Sequence, residues 1–283
     1  MKTKNTPKPI TSKQVIAAFP KRPRDSHKGN FGTVAVIGGA SGMVGAPLMA
    51  GRAALKLGAG CVHVGLLADN APVVDLMQPE LMLHAAADAL KLPGLDVLAV
   101  GCGLGRSLAA QKLLYDAIRH PAALVLDADA LNLLAERPDL ASDLRARKAA
   151  TVLTPHPGEA ARLLGIKTEE VQADRVAAVR QLAHKFGCSV MLKGADSLVA
   201  TSDGKLYVNK TGNPGMSAAG MGDVLTGIVA AFLAQGMGAD DALLLAVHLH
   251  GAAGDELAKQ QATIGMSATE VTEWARWLLN QWV

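Results

Sequence analysis

The chain contains few cysteines, and their arrangement argues against two kinds of stabilised domain. Among 283 residues there are three cysteines, Cys61, Cys102 and Cys188, which lie far apart and show no C-x-x-C spacing. Disulfide frameworks and structural zinc sites both need paired, suitably spaced cysteines or histidines. The sequence therefore predicts neither, and its thiols fit a reducing, cytoplasmic compartment.

Aromatic residues, excess positive charge and long apolar runs are also scarce. The aromatic content is 3% and the net charge is +3, with no block of Lys and Arg beyond residues 21–24. Both facts argue against nucleic acid as the main partner. The first 14 residues have no apolar core of a signal peptide, and later apolar stretches are broken by Gly, Asp or His. We therefore expect a soluble protein with no membrane contact.

What the chain does have is apolar material for a large core. It is 50% hydrophobic and 19% charged, a composition typical of a globular enzyme domain. Residues 1–27 show little periodicity, and we interpret them as an N-terminal tail whose Val15–Pro20 segment forms a short helix on the body or on a partner. Residues 28–283 are predicted to form one domain.

Apolar strands alternate with helices through much of that domain. Predicted strands cover Thr33–Ile37, Cys61–Leu66, Val97–Val100, Leu124–Leu126 and Thr151–Leu153, and predicted helices cover Gly45–Leu57, Leu108–Arg119 and Ala130–Ala135. A hairpin-like insertion (Ser197–Ala200, Leu206–Val208) precedes helices over Ala219–Ala234, Asp240–Lys259 and Ala268–Leu279. Such alternation predicts an α/β fold with a mainly parallel central sheet flanked by helices, and ligands are expected beyond the carboxyl ends of its strands.

The most informative segment is the glycine-rich run Gly212–Asp223, which leads directly into a helix. Small residues let backbone N–H groups approach a phosphate, and the helix adds the positive end of its dipole. A carboxylate would repel that phosphate. Asp223 is therefore either a group that takes a proton beside the phosphate or a helix cap, and the local sequence favours neither.

Further polar or glycine-rich segments follow other predicted strands. Gly38–Ala46 lacks the spacing and the acidic partner of a dinucleotide fingerprint, which disfavours a hydride-transferring enzyme. In Gly101–Arg106 the arginine could meet an anion, although a tight turn is the alternative. Asp127 and Asp129 could hold the water shell of a magnesium ion or begin a helix, and a helix cap is favoured for Asp129.

Histidine and lysine supply the remaining candidates. His156 lies between two prolines, which favours ligand contact over core packing. Lys193 ends a predicted strand, where it could reach a nucleotide phosphate or be an ordinary strand-end lysine. His248 and His250 are two positions apart on a helix and cannot share a face, so a metal-binding pair is not expected.

Taken together, seven segments resemble those of one family in the same order: Lys28–Gly32, the Gly-Ala after the first strand, Gly101–Arg106, Asp127–Asn132, Thr154–Glu159, Leu192–Gly194 and Asn213–Gly227. The family is that of the ADP-dependent NAD(P)H-hydrate dehydratases, which have a three-layer, ribokinase-like fold. The resemblance runs from about Lys28 to the C-terminus. Because the chain is too short for the epimerase domain that often precedes this one, we expect a stand-alone dehydratase with a separate epimerase.

The resemblance implies a lyase that repairs nicotinamide nucleotides. It implies ADP-dependent dehydration of the S epimer of hydrated NADH or NADPH (NADHX, NADPHX) to NADH or NADPH, with AMP and phosphate as products. A nucleotide, ADP or ATP, would donate a phosphoryl group to the substrate hydroxyl, and Mg²⁺ would offset negative charge. A homotetramer is also implied.

The resemblance assigns residue roles as well. Asp223 is implied as the catalytic base, and Gly220 and Gly222 as the anion hole. The hydrated dinucleotide would contact Ala46, Gly105, His156 and Asp223, and the nucleotide would contact Lys193, Gly194, Ala195, Asp196, Ser197 and Gly222. Ser217–Ala219 departs from the commoner family pattern with residues that are still small. A kinase of a vitamin-precursor alcohol and a non-catalytic nucleotide sensor are the alternatives.

Overall fold

The computed structural model of the protein describes residues 6–283 and is built around one ten-stranded sheet. Its strands are β1 Lys8–Pro9, β2 Thr33–Gly38, β3 Cys61–Leu66, β4 Met82–Ala85, β5 Val97–Val100, β6 Ala123–Leu126, β7 Thr151–Leu153, β8 Ser189–Leu192, β9 Leu198–Ala200 and β10 Leu206–Val208. Its helices are α1 Ser12–Ile16, α2 Gly45–Lys56, α3 Ala86–Ala89, α4 Leu108–Arg119, α5 Asp129–Glu136, α6 Asp139–Ala146, α7 Pro157–Leu164, α8 Thr168–Ala173, α9 Arg175–Phe186, α10 Met221–Ala234, α11 Ala239–Gln260 and α12 Ala268–Trp282. Short 3₁₀ turns occur at Lys28–Phe31 and Pro214–Met216.

The sheet is mainly parallel, as predicted. Its strand order is β1-β10-β9-β8-β7-β6-β5-β2-β3-β4, and only β9 runs antiparallel to its neighbours β8 and β10. The predicted hairpin is the β9–β10 pair. Within residues 6–283, no helix combines the length and the apolar character needed to cross a bilayer.

Helices cover both faces of the sheet and create two cores. Alternate residues of a strand point to opposite faces, so Val34 and Val36 of β2 join one core while Ala35 and Ile37 join the other. Helices α2, α10, α11 and α12 pack on the first face, and α3 to α9 contribute to the second. The result is the three-layer α/β arrangement expected from the sequence.

The direction of chain progression across the sheet reverses between β2 and β5. From β2 the sheet continues through β3 to β4 on one side, and from β5 through β6 and β7 to β8 on the other. Neighbouring strand ends at such a reversal leave a crevice for ligands. The glycine-rich loops after β2 and β5 meet there, since Ala40 N–H donates to the carbonyl of Gly103 (2.7 Å).

The N-terminal segment packs onto the rest of the protein. Strand β1 pairs with β10, and Val15 of α1 is only 3% exposed. The Phe19 ring meets Phe232 edge-on, with 5.8 Å between ring centroids. The apolar Val15–Pro20 segment therefore closes this chain's own core, and the division at residue 27 stays a prediction. Residues 1–5 lie outside the described residues.

Among the helix limits that differ from the predicted ones, two have a visible structural setting. The helix expected from Ala219 begins at Met221, because Gly220 has the left-handed φ of 88° and cannot belong to a right-handed helix. The last helix continues past Leu279 to Trp282, whose ring stacks on His248 at 5.8 Å between centroids.

The last glycine of the glycine-rich motif, Gly227, serves packing. A Cβ added there would lie 2.0 Å from the carbonyl oxygen of Ala50 on α2. We expect Gly227→Ala to lower the free energy of unfolding by about 1–3 kcal/mol or more, as overpacking does. Urea unfolding measures this loss. Gly45→Ala is the control, because nothing lies within 4 Å of its added Cβ, and an equal loss in both variants would contradict the packing role.

Candidate active site

Helix α10 presents its N-terminus at the carboxyl ends of the central strands. Gly220 occupies the position before its first residue, and the first helical backbone hydrogen bond runs from Val224 N–H to the Gly220 carbonyl (2.9 Å). The N–H groups of the first turn have no intrahelical acceptor by helix geometry. They are therefore available to an anion, as the glycine-rich run predicted.

Asp223 lies in this first turn with its carboxylate half-buried. Burial raises the pKa of Asp223, the nearby Asp127 carboxylate acts in the same direction, and a hydrogen bond with the Cys102 thiol and the charge of Lys193 oppose them. Within residues 6–283, no side chain caps α10. The capping alternative for Asp223 therefore loses its support, and a half-buried carboxylate with a raised pKa suits proton transfer.

A buried ion pair lies beneath the start of α10. Lys193 Nζ is 2.6 Å from Asp127 Oδ1, and Thr226 Oγ1 donates to Asp127 Oδ2 at 3.0 Å. A Cβ added to Gly222 would be 3.3 Å from that same Nζ. Burial lowers the pKa of Lys193, but Asp127 and Glu159 outweigh it, so the pKa is raised overall. A fixed positive charge therefore lies next to the anion site.

His156 and Glu159 extend this polar network toward the protein surface. Glu159 Oε2 accepts from the backbone N–H of His156 (2.8 Å) and lies 4.0 Å from Lys193 Nζ. Glu159 is 4% exposed, and burial raises its pKa. The His156 side chain is 49% exposed, and burial together with the charges of Lys193 and Arg162 lowers its pKa. The His156 imidazole thus lies at the rim of the site, where Nδ1 accepts from the Gly158 N–H (3.0 Å) and Nε2 lies 3.2 Å from Glu159 Oε1.

The predicted substrate residues Ala46 and Gly105 lie at the sheet crevice, Ala46 in the first turn of α2 and Gly105 on the loop after β5. A Cβ added to Gly103 would lie 3.2 Å from the Cβ of Ala46, and one added to Gly105 would lie 3.3 Å from that of Ala40. These contacts bring the loops after β2 and β5 together. The loop after β5 borders Asp127, because β5 neighbours β6 in the sheet and a Cβ added to Gly101 would lie 1.8 Å from the Asp127 carbonyl oxygen.

The expectation that Asp129 caps a helix is wrong. Ala128, with a left-handed φ of 50°, takes the capping position, and Asp129 is the first residue of α5. The Asp129 Oδ2 instead accepts from the backbone N–H of Gly105 at 2.8 Å. The carboxylate therefore holds the Gly105 loop, a contact that the sequence does not display because 24 positions separate the two residues.

The predicted nucleotide residues form a turn after β8. Arg175 holds this turn by donating to the carbonyls of Ala195 and Lys193, the latter at 3.3 Å. Ser197 Oγ donates to the Gly194 carbonyl (2.8 Å), and Asp196 pairs with Lys210 (2.5 Å). The turn is thus fixed from two sides.

A cavity of about 250 Å³ adjoins this turn. Predicted nucleotide residues on its wall are Lys193, Gly194, Ser197 and Gly222, whereas Ala195 and Asp196 are exposed outside its lining. His250, which sequence reasoning did not assign to a ligand, also lines it, and its buried Nε2 has no hydrogen-bond partner among the described residues. A larger cavity, of about 750 Å³, lies between α3 and α4 and contains none of the predicted site residues.

Comparison with known proteins identifies relatives along most of the chain. The profile of the NAD(P)H-hydrate dehydratase family matches residues 34–276. An ADP-dependent (S)-NAD(P)H-hydrate dehydratase from Neisseria meningitidis is 46% identical over 93% of this chain and 90% of its own length. The bifunctional NAD(P)H-hydrate repair enzyme Nnr from Coxiella burnetii is 43% identical over 95% of this chain and 54% of its own length. The chain thus spans about half of that bifunctional relative.

A solved structure agrees with this relationship. The ADP/ATP-dependent NAD(P)H-hydrate dehydratase from Bacillus subtilis, co-crystallised with ATP/Mg²⁺, superposes with a TM-score of 0.88 at 27% identity. The superposition covers 98% of this chain and 99% of that one. Both the ribokinase-like fold and the sequence resemblance are therefore confirmed. This chain belongs to the NAD(P)H-hydrate dehydratase family.

Proposed function

We propose that this enzyme dehydrates the S epimer of hydrated NADH or NADPH in a reaction that consumes ADP and releases AMP and phosphate. The proposal rests on the start of α10, where the half-buried Asp223 carboxylate adjoins free backbone N–H groups. A base and an anion site side by side suit phosphoryl transfer to a hydroxyl. The family match favours this activity over the vitamin-precursor kinase and the sensor.

In the proposed first step, Asp223 takes the proton of the substrate hydroxyl. That oxygen bonds to the terminal phosphorus of ADP, and the bond from phosphorus to AMP breaks. The N–H groups around Gly220 and Gly222 receive the charge of the moving phosphoryl group. In the second step phosphate leaves as electrons from the ring nitrogen enter the ring, and the adjacent ring carbon loses a proton. Hydroxide is thus replaced by a better leaving group.

The substrates are proposed to occupy opposite sides of Asp223. The turn from Lys193 to Ser197 and its cavity would take ADP, with Gly194, Ala195, Asp196 and Gly222 around the nucleotide, and Lys193 would offset phosphate charge. The hydrated ring would lie toward Ala46, Gly105 and His156. The cavity at Lys193 and the exposed rim at His156 support this division.

Mg²⁺ would fit beside this nucleotide site. The buried carboxylates of Asp127 and Glu159 lie on either side of Lys193 Nζ, at 2.6 and 4.0 Å, and carboxylate oxygens are the donors that Mg²⁺ prefers. Among residues 6–283, no cluster of three or more acidic, histidine or cysteine side chains could hold a metal. Asp127 and Glu159 would thus hold the ion only together with phosphate oxygens and water, and it would neutralise charge on the transferred group.

We further propose that the protein is a cytoplasmic homo-oligomer, a tetramer by family resemblance. Epimerisation of the hydrated dinucleotide is proposed to depend on a separate epimerase. The free thiols of Cys61, Cys102 and Cys188 suit a reducing compartment. The exposed side chains of Val73, Leu76 and Met77 form an apolar surface of the kind found at interfaces.

The deciding experiment is an absorbance assay of the purified protein. We expect the reduced-nicotinamide absorbance to return when hydrated NADH and Mg²⁺ are mixed with the protein and ADP, and not without nucleotide. Parallel samples with ATP and with hydrated NADPH establish the donor and the preferred substrate. A folded sample that binds ADP yet restores no absorbance with either donor would exclude the dehydratase and favour the kinase or sensor alternative.

A further inference from the structure

One face of α5 organises two arginines beside the predicted substrate residues. Asp129, Asn132 and Glu136 are spaced by three and four positions, so they share a helix face. Asp129 accepts from the N–H of Gly105 (2.8 Å), and Asn132 Oδ1 accepts from Arg162 Nη1 (3.0 Å). Glu136 Oε1 lies 3.0 Å from Arg106 Nη1. This face thus holds one loop and two guanidinium groups.

The position of α5 in the fold explains how this helix reaches the loops that carry Gly105 and His156. Helix α5 follows β6, which lies between β5 and β7 in the sheet. Gly105 comes from the loop after β5 and His156 from the loop after β7. The helix therefore leaves the sheet between the two loops that are proposed to contact the hydrated dinucleotide.

Both arginines lie next to those contacts. Arg106 directly follows Gly105 in the chain. A Cβ added to Gly158 would lie 2.9 Å from Cε1 of His156 and 3.9 Å from Nη1 of Arg162. The Arg162 guanidinium is thus a near neighbour of the His156 ring, consistent with its effect in lowering the pKa of His156.

The contacts within the protein leave N–H donors of both arginines available. Both residues are exposed, and a guanidinium has five N–H donors. The hydrogen-bond partner of Arg162 is the neutral amide of Asn132, which leaves its charge uncompensated by that contact. The Arg106–Glu136 pair has side chains 49% and 47% exposed, and ion pairs at such exposure add little to stability. Both guanidinium groups therefore have N–H donors left over for an anionic ligand.

The dinucleotide supplies a suitable anion. Its two halves are joined by a diphosphate, and the planar fork of a guanidinium matches phosphate oxygens with two parallel hydrogen bonds. The phosphates of ADP are already assigned to Lys193, on the other side of Asp223. We propose that Arg106 and Arg162 bind the diphosphate of the hydrated dinucleotide and thereby set its KM, an inference that rests on the proposed function.

The test uses Arg106→Gln, Arg162→Gln and the double variant of the full chain. We expect each single change to raise KM for hydrated NADH about tenfold to a hundredfold, the range for losing a charge-assisted hydrogen bond. The kcat and the KM for ADP should stay within about twofold, because these contacts change little between substrate and transition state. Arg137→Gln is the matched control, since Arg137 pairs with Asp139 at the surface (2.6 Å) and should leave both KM values unchanged.

A truncated substrate separates diphosphate recognition from a general structural effect. Hydrated reduced nicotinamide riboside lacks both phosphates, so the native enzyme should bind it weakly and the variants should bind it no more weakly. An unchanged KM for hydrated NADH, an equal rise in KM for ADP, or an equal loss with both substrates would overturn the proposal.

A binding measurement keeps the inference distinct from the proposed reaction. The fluorescence of NADPH, which shares the diphosphate, reports its dissociation constant without turnover. We expect about tenfold or greater weakening in each arginine variant and none in Arg137→Gln. If the native protein restores no hydrate, the proposed function fails by itself. If NADPH binds equally well to the native protein and to the variants, the arginine proposal fails.

Discussion

Asp223→Asn is expected to lower turnover of hydrated NADH by at least about a hundredfold, the lower range for losing a general base. The amide has nearly the shape of the carboxylate but cannot accept the hydroxyl proton. Because the anion site consists of backbone N–H groups and Lys193, the dissociation constant of ADP should change little. Steady-state kinetics and a direct ADP titration measure the two quantities. Asp116→Asn is the control, because Asp116 is a partly exposed surface residue paired with Lys112 (2.7 Å).

The pH dependence offers a second readout of the same residue. Asp223 acts as a base only when it is ionised, and burial raises its pKa above the ordinary carboxyl value. The kcat/KM should therefore fall on acidification at a higher pH than an exposed carboxyl would give. Glu159 has a raised pKa as well. The fall of kcat/KM at acidic pH is therefore due to Asp223 only if this fall disappears in Asp223→Asn. Near-normal turnover in that variant would remove Asp223 from the mechanism.

Lys193→Met is expected to destabilise the protein by about 3–5 kcal/mol, the cost of breaking a buried ion pair from one side. The substitution leaves the carboxylate of Asp127, which is 1% exposed, with the Thr226 hydroxyl but without its cation. Urea unfolding measures the loss. Phosphoryl transfer should fall as well, because the variant removes the fixed positive charge beside Gly222.

A double variant distinguishes the buried charge from lost packing. In Lys193→Met with Asp127→Asn no uncompensated carboxylate remains, so most of the stability should return while turnover stays low. Lys210→Met is the surface control, since it breaks the exposed pair with Asp196 and should cost about 1 kcal/mol or less. A double variant as unstable as Lys193→Met would show that the ion pair is not the source of the loss.

Much of the fold followed from local patterns in the chain. Short apolar strands alternating with helices predicted the three-layer parallel sheet, and most limits were right to within a few residues. The run Gly212–Asp223 likewise predicted an anion site with a carboxylate beside it, because glycine content and a following helix act locally. The main local error concerned Asp129, whose role depends on a distant loop.

Local patterns in the chain were therefore enough to predict the central strands, several of the helices, the glycine-rich loops and the family, but not strands β1 and β4 or helices α3 and α6 to α9. Which side chains meet depends on the three-dimensional fold. Asp127 contacts Lys193 and Thr226 across 66 and 99 positions, and α5 reaches both Arg106 and Arg162 because β6 lies between β5 and β7. Spacing along a chain specifies faces of helices and strands, whereas the order of strands in a sheet brings residues far apart in sequence to one edge.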